Sequence, residues 1–275
     1  MSTITSTVHL IHVEMTRALH RRLVRWMVLV ALVGCALCCA ISFLTSGDAV
    51  ELARSKGHPA LMASWWGGAE EGDNLLTMGA TFLAIGAVIC GASVAGAEWR
   101  NGTITTVLTW EPSRVRLHLA RTASAALLAF VIGFLLQVAL LGSALPAVLA
   151  HGSTAGTDGS WWLALAWAML RVSLVASLVA VLALSVASIG RNTAAALVTL
   201  AIWALVLENM VRGLKPGLAR FLIGENVVTV VPWTAMDDVP FHRPPLLALA
   251  TLLFYLGLVV ALATTLFWKR DVASA

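Results

Sequence analysis

The sequence predicts an all-α integral membrane protein in which six transmembrane helices form one domain. Hydrophobic residues make up 59% of the 275 residues and charged residues only 12%, against about 45–50% and about 25% in soluble domains. A soluble domain of this size has too little interior to bury so much apolar surface. In addition, six apolar stretches reach or approach the roughly 20 residues that a spanning helix needs.

These six stretches are expected to cross the membrane in turn. The first is not a convincing signal peptide, because a long charged segment precedes it and no clean cleavage motif follows. The third contains Pro146, which predicts a tilt or a kink. The fifth is short, and Met210 and Val211 extend it if Glu208 snorkels toward the headgroups. The predicted spans are Met27–Leu44, Leu75–Ala97, Thr122–Ala150, Trp161–Ile189, Thr193–Leu207 and Leu246–Trp268.

The distribution of charge orients the helices. With the N-terminus in the cytosol, eleven Lys and Arg residues fall in cytosolic segments and six in outer loops. The positive-inside rule therefore predicts that both termini are cytosolic. The expected organisation is a cytosolic segment at 1–26, a transmembrane domain at 27–268 and a cytosolic tail at 269–275. Because most basic residues flank apolar stretches, the net charge of +4 indicates membrane orientation and not nucleic-acid binding.

An amphipathic helix is expected over residues 8–27, before the first span. Two rows of side chains support it. The apolar row is Ile11, Met15, Leu19, Leu23 and Met27, and the polar row is Glu14, Arg17, Arg21 and Arg25. We expect this helix to lie flat on the inner membrane surface against anionic lipid. It is either an interfacial anchor alone or an element that also contacts a cytosolic subunit.

Two outer loops are long, at residues 45–74 and 211–245. The second contains two apolar segments, Phe221–Ile223 and Val227–Trp233, which are too short to span a bilayer. They predict an interfacial or re-entrant hairpin that covers the outer end of the helices.

Three polar residues interrupt the predicted spans. Arg171 lies either at the outer interface or in a substrate or ion-pair site, since a charge at mid-membrane is costly and marks function by default. Glu208, near the end of the fifth span, can pair with Arg212 one turn later, or it belongs to a translocation site. Gln137 is expected to form a hydrogen bond between helices.

Several kinds of chemistry have no signature in the sequence. There is no phosphate-binding G-x-x-x-x-G-K-[ST] loop and no H-E-x-x-H zinc-protease motif. The four cysteines lie within apolar runs, and the seven histidines form no set with the spacing of a metal site. We therefore expect no catalytic residues, no metal and no cofactor bound by this chain.

The predicted cytosolic loop between spans two and three carries the clearest local pattern. The helix of the second span leaves the membrane at Ala97 and is broken by Asn101-Gly102, and Thr103 can cap a short helix that runs through Leu108. Glu111-Pro112 then breaks this helix, and Ser113 can cap the next one. Ile104, Val107, Leu108 and Trp110 are expected to form an exposed apolar face. Such a short helix suits a groove on another protein, although the pattern is also compatible with a simple turn.

This loop resembles a motif of ABC-2 type transporter permeases, E-x-x-x-G-T-[LI]-x-x-[LV]-L-x-x-P-x-[SP]-R. The matching residues are Glu98, Gly102, Thr103, Ile104, Leu108 and Arg114. The spacing between Leu108 and Pro112 is looser than in the motif. The segment 206–216 resembles the corresponding part of small actinobacterial-type members, and the six-span layout also fits the family.

The resemblance implies a permease subunit in the plasma membrane, paired with an identical or sister permease and surrounded by lipid. A separate ATP-binding subunit, which holds ATP and Mg²⁺, would dock on the loop helix, the coupling helix of the family. Its interface would include Val107 and Arg114, and Glu98 and Arg100 would fix the base of the helix. The implied activity is export of a lipid-like, peptide or drug-like substrate.

Two other functions share this topology. A membrane-embedded enzyme acting on lipid or peptide would need a catalytic constellation, and none is visible. A sensor or resistance scaffold would need no coupled ATP hydrolysis. The loop at residues 98–114 distinguishes the transporter from both.

Overall fold

The computed structural model describes residues 3–56, 63–66, 75–154, 156–235 and 241–269, and these residues form helices without any β-strand. The helices are α1 (Thr3–Leu19), α2 (Arg22–Lys56), α3 (Leu75–Arg100), α4 (Ile104–Trp110), α5 (Arg114–His151), α6 (Gly159–Gly190), α7 (Thr193–Ile202), α8 (Glu208–Leu214), α9 (Ile223–Val230) and α10 (Pro245–Lys269).

Within the described residues, six helical segments are long and apolar enough to cross a membrane, as predicted. They are Arg22–Ile41, Leu75–Arg100, Arg114–His151, Gly159–Gly190, Thr193–Leu214 and Pro245–Lys269. Each one contains all or most of one expected span. The chain therefore has the architecture of a multi-pass membrane protein.

Helix α6 lies at the centre of the bundle and packs against α3, α5, α7 and α10. Its contact with α3 is the most extensive, because both helices present small side chains to each other. Ala92 and Ala95 on α3, and Ala183 and Ala187 on α6, belong to one buried cluster. Small residues allow helices to approach closely, which is the usual way that helices associate in lipid.

The bundle has two ends, which we name after the short elements found there. At the α1 end, the side chain of Arg21 reaches the last turns of α3, and Phe267 of α10 packs against α4. At the α9 end, Ala63 N donates to Ser153 O over 3.0 Å, and Tyr255 Oη donates to Phe221 O over 3.1 Å.

The N-terminal segment differs from the continuous helix expected over residues 8–27. Helix α1 ends at Leu19, and α2 begins at Arg22 after a short break. Helix α2 then continues to Lys56, so the first part of the expected outer loop at 45–74 is helical. Further along this loop, Trp66 is buried in a short 3₁₀ helix, Ala63–Trp66. Residues 57–62 and 67–74 lie outside the described residues.

The fifth membrane-length segment is built from three pieces. Helix α7 passes through a π-helical turn at Trp203–Leu207 and continues into α8. Isolated π-helical turns inside α-helices occur frequently at functional sites. A 3₁₀ helix at Pro216–Phe221 and the short helix α9 then follow. Helix α9 packs on α10, so two short helical elements take the place of the expected apolar hairpin, and 236–240 lie outside the described residues.

Candidate functional site

The turn between α3 and α4 sets the position of the short helix that the sequence singled out. Gly102 has φ = +66°, a conformation that glycine adopts at little cost. Thr103 N donates to Glu98 O over 3.1 Å, and Gly102 N donates to Trp99 O over 3.2 Å. This pair of hydrogen bonds is a Schellman motif, which ends a helix and reverses the chain. Helix α4 therefore begins at a fixed distance from the last turn of α3.

The capping of α4 and α5 is only partly as predicted. Thr103 precedes α4, but its side chain makes no capping hydrogen bond, because the Schellman turn places this residue in a helical conformation. Ser113 caps α5 as expected, and its Oγ accepts from Arg116 N at 3.4 Å. Arg116 also forms an ion pair with Glu111, which ties the end of α4 to the start of α5.

The apolar face of α4 is turned mainly toward the bundle, contrary to the sequence expectation. Ile104 is buried, with 2% of its surface exposed, against Leu117 of α5 and Phe267 of α10. Val107 and Leu108 are partly buried against the same cluster. Periodicity identified the apolar residues, but it could not show that the ends of α5 and α10 cover them.

The outward side of α4 is formed by four exposed residues. They are Thr105, Thr106, Thr109 and Trp110. Trp110 is 86% exposed, which is unusual for so large an apolar side chain next to threonines. We call these four residues the outer face of α4.

Glu98 lies in a buried cluster of ion pairs and not at a solvent-exposed base of the loop. Its Oε1 contacts Arg17 Nη2 at 3.2 Å and Arg21 Nη2 at 3.0 Å, and its Oε2 contacts Arg121. Glu14 joins the same cluster, with its Oε1 2.6 Å from Arg17 Nη1 and its Oε2 3.4 Å from Arg121 Nε. We call these five residues the ion-pair cluster; it joins α1, α3 and α5.

Arg21 also binds the backbone of α3 directly. Its Nη1 donates to Ser93 O over 2.9 Å, and its Nη2 donates to Val94 O over 3.0 Å. Both carbonyl groups lie more than one turn before Arg100, where α3 ends, so Arg21 is attached to the side of the helix. Burial lowers the pKa of Arg21, and the nearby carboxylate of Glu98 acts in the opposite direction.

The polar row of α1 therefore faces the bundle, where the sequence suggested a polar face toward headgroups. Glu14 and Ala18 are buried, whereas Val8, Val13 and Leu19 are exposed. Of the predicted polar row, Glu14, Arg17 and Arg21 lie in the ion-pair cluster, whereas Arg25 lies on α2 and is exposed. The sequence pattern did not reveal that Glu14 and Arg121 complete the cluster around Glu98, since these residues are far apart along the chain.

The two cationic residues of the expected interface, Arg100 and Arg114, lie outside the ion-pair cluster. Arg100 is exposed on the last turn of α3. Arg114, at the start of α5, has its Nη1 3.5 Å from Phe267 O of α10. Nearby, the guanidinium group of Arg191 lies 4.5 Å from the centre of the Trp99 ring, which attaches the end of α6 to that of α3.

Gln137 and Arg171 both connect elements of the bundle. Gln137 is buried, and its Nε2 donates to Ser173 Oγ at 2.8 Å and Met169 O at 3.2 Å on α6. Arg171 is half-buried at the α9 end, where its Nε donates to Val231 O over 2.9 Å. Its guanidinium carbon lies 5.8 Å from the Trp233 ring centre.

Glu208 neither snorkels nor pairs with Arg212, so these two expectations are wrong. It is 4% exposed. Its Oε1 accepts from Trp203 Nε1 and from Ile223 N, each at 3.0 Å, and its Oε2 accepts from Gly224 N at 3.0 Å. Arg212 instead pairs with Glu225, with Nε 2.5 Å from Oε1.

Arg243 is a buried charge that the sequence analysis did not single out. Its Nε and Nη2 donate to Asn226 Oδ1 at 3.0 Å and 2.9 Å, and Nη2 also donates to Thr251 Oγ1 at 2.5 Å. Burial lowers the pKa of this guanidinium group. Arg243 lies just before α10, which begins at Pro245, so in the sequence it was marked only as a basic residue flanking an apolar stretch.

Among the residues that the structure describes, no group of three or more His, Cys, Asp or Glu side chains could hold a metal ion. No family model matches this chain, and no curated protein matches it.

Proposed function

We propose that this chain is the transmembrane permease subunit of an ATP-driven transporter of the ABC-2 type, and that it exports lipid-like, peptide or drug-like molecules. ATP and Mg²⁺ are bound by a separate subunit, which docks at the α1 end. Two permease chains, identical or sister, form the transport pathway in the plasma membrane. The α1 end is the cytosolic side, as the distribution of basic residues favours.

The main support for this proposal is the way in which α4 is attached to the helices of the bundle. The Schellman turn joins it to α3, and Ile104 packs against α5 and α10. A force applied to its outer face is therefore transmitted to three membrane-length helices, because close-packed interiors transmit strain. The exposed Trp110 beside three threonines gives this face the aromatic anchor that is enriched in protein interfaces.

The ion-pair cluster supports the same role. Glu98 contributes its side chain to the cluster and its carbonyl oxygen to the turn that leads into α4. A buried ion-pair cluster is weak evidence for stability, because desolvation offsets much of its attraction. It is better suited to holding α1, α3 and α5 in one arrangement while a partner acts on α4.

The test is purification of the full chain, tagged, from its native cells in a mild detergent. We expect a stoichiometric ATP-binding subunit to co-purify and the complex to hydrolyse ATP. The double variant Thr106→Asp/Trp110→Ala should lose that subunit but remain folded, since both residues are exposed. Trp26→Ala is the matched control, because Trp26 is also exposed, at 62%, but lies on α2.

Two outcomes would contradict the proposal. The chain could purify without any nucleotide-binding partner, which would favour a sensor, a resistance scaffold or an enzyme. Alternatively, the folded double variant could retain the subunit and coupled ATP hydrolysis, which would remove α4 from the interface.

A further inference from the structure

A large cavity lies between the helices of the bundle toward the α9 end. Its volume is about 1410 Å³, which exceeds the roughly 300–1,000 Å³ of common small-molecule sites. It is bounded by α3, α6, α10 and the α7–α9 region, and its lining is mostly alanine, valine and leucine. The cavity therefore has room for a bulky apolar molecule.

Glu208 is the only charged residue that lines this cavity in the part of the chain that the structure describes. It stands on α8, directly after the π-helical turn, and its carboxylate is buried. All of its hydrogen-bond donors are N–H groups, from Trp203, Ile223 and Gly224. These contacts suit an ionised carboxylate, which only accepts hydrogen bonds.

No described cation neutralises this carboxylate within 4.0 Å, since Arg212 pairs with Glu225. The first turn of α9 offers partial positive charge through its free N–H groups. Gly224 is needed for that approach, because a Cβ atom there would lie closer than 3.0 Å to the Glu208 carboxylate. The α9 turn orients the carboxylate. Arg212 also lies close to Gly224, but its ion pair is with Glu225, so Glu208 forms no ion pair among the described residues.

Aromatic rings add a second feature that favours a cation. Trp203, Phe221 and Tyr255 line the same cavity as Glu208. Aromatic faces attract cations, most strongly where water is excluded, and they are a usual means of recognising quaternary ammonium groups. The guanidinium group of Arg220 already lies 4.9 Å from the centre of the Phe221 ring, which leaves Trp203 and Tyr255. An apolar wall, these two rings and a carboxylate without an ion pair are complementary to an apolar organic cation.

We infer that this cavity binds bulky hydrophobic organic cations, with Glu208 as their counter-charge. The inference rests on the proposed function only in treating such cations as transported substrates. Binding itself can be measured on this chain alone, without the ATP-binding subunit. A failed search for that subunit therefore leaves the binding result standing.

The experiment uses the full chain in an uncharged detergent and equilibrium dialysis with two probes of the same shape. Tetraphenylphosphonium carries a positive charge and tetraphenylborate a negative one. After subtraction of the micelle background, we expect saturable binding of tetraphenylphosphonium and binding of tetraphenylborate that is at least tenfold weaker. Equal binding of the two ions would overturn the inference.

Variants at Glu208 test the contribution of its negative charge separately from that of the cavity shape. Glu208→Gln should weaken tetraphenylphosphonium binding at least tenfold, and Glu208→Asp should retain most of it. The matched control is Asp158→Asn, which removes one negative charge at the same end of the bundle. Asp158 is the exposed N-cap of α6, and asparagine caps a helix equally well. A folded Glu208→Gln variant that binds like the unmodified chain would overturn the inference.

If Glu208→Gln does not fold, the Ala84→Phe variant tests whether the cavity is the binding site. Ala84 lines the cavity from α3, so a phenyl ring there fills space without replacing the carboxylate. Weaker tetraphenylphosphonium binding by this folded variant would support the cavity as the site, and unchanged binding would overturn it.

Discussion

Arg21 Nη2 lies 3.0 Å from Glu98 Oε1, and this contact joins the segment between α1 and α2 to the last turn of α3. The carbonyl oxygen of Glu98 accepts from Thr103 N in the turn that leads to α4. One residue thus connects α1 through its side chain and α4 through its backbone. Separating a buried carboxylate from its partners is costly, so Glu98 is expected to follow a movement of α1 relative to α3. Such a movement therefore disturbs the turn that positions α4.

The first prediction concerns this carboxylate. Glu98→Gln should lower the free energy of unfolding by about 3–5 kcal/mol, since it leaves Arg21 without an ion-pair partner and three guanidinium groups with Glu14 as the one remaining carboxylate of the cluster. The variant should still insert into the membrane, because the apolar spans are unchanged. Unfolding in mixed micelles with increasing dodecyl sulfate, followed by tryptophan fluorescence, measures the change.

Arg100→Gln is the matched control for that variant. Arg100 lies two residues further along α3, is exposed and is not part of the ion-pair cluster. Its replacement should change the unfolding free energy by less than about 0.5 kcal/mol, as is usual for surface sites. Equal losses in the two variants would show that the cluster does not stabilise the fold.

The second prediction separates the two sides of α4. Ile104→Ala should cost about 2–5 kcal/mol of stability, because it removes buried methyl groups and leaves a cavity beside Leu117 and Phe267. Trp110→Ala should leave stability within about 0.5 kcal/mol, because Trp110 is exposed. The same unfolding measurement compares them. A stable Ile104→Ala variant would contradict the packing of α4 against the bundle.

The six membrane-length helices were predictable because lipid imposes a length and a composition that can be counted along the chain. The α4 region was also predictable, since the turn residues Asn101-Gly102 and Glu111-Pro112 act locally. Both features depend on neighbours in the sequence. Neither required knowledge of which helix packs against which.

The partners of the polar residues could not be obtained in this way. Periodicity places Glu14, Arg17 and Arg21 in one row, but Glu98 is 81 positions from Arg17, and nothing local links them. For the same reason Glu208 was paired with Arg212 one turn away, whereas the structure brings the start of α9 to it. Short-range pairing rules fail where a distant backbone offers better donors.

The third prediction tests the close contact between α3 and α6. A Cβ atom on Gly91 would lie closer than 3.0 Å to the backbone of Ala180, whereas one on Gly86 would meet nothing within 4 Å. Gly91→Ala should therefore destabilise the fold by about 1–3 kcal/mol through overpacking. Gly86→Ala, on the same helix, should be neutral or slightly stabilising, because alanine favours the helix.

Unfolding of these two variants is followed in mixed micelles as above. The prediction concerns the difference between them, so effects of alanine on helix propensity cancel. If Gly91→Ala is as stable as Gly86→Ala, the two helix backbones are further apart than the structure places them.

The last prediction concerns the hydrogen bond from Gln137 Nε2 to Ser173 Oγ between α5 and α6. Gln137 Oε1 has no partner among the described residues, so Gln137→Leu removes a good donor together with an unsatisfied acceptor. The single variant is therefore expected to change stability little. A double-mutant cycle with Ser173→Ala isolates the bond, and we expect a coupling of about 0.6 kcal/mol, with about 1.7 kcal/mol as the upper limit. Zero coupling would mean that the bond contributes nothing to the association of α5 with α6, and that Gln137 is retained for another reason.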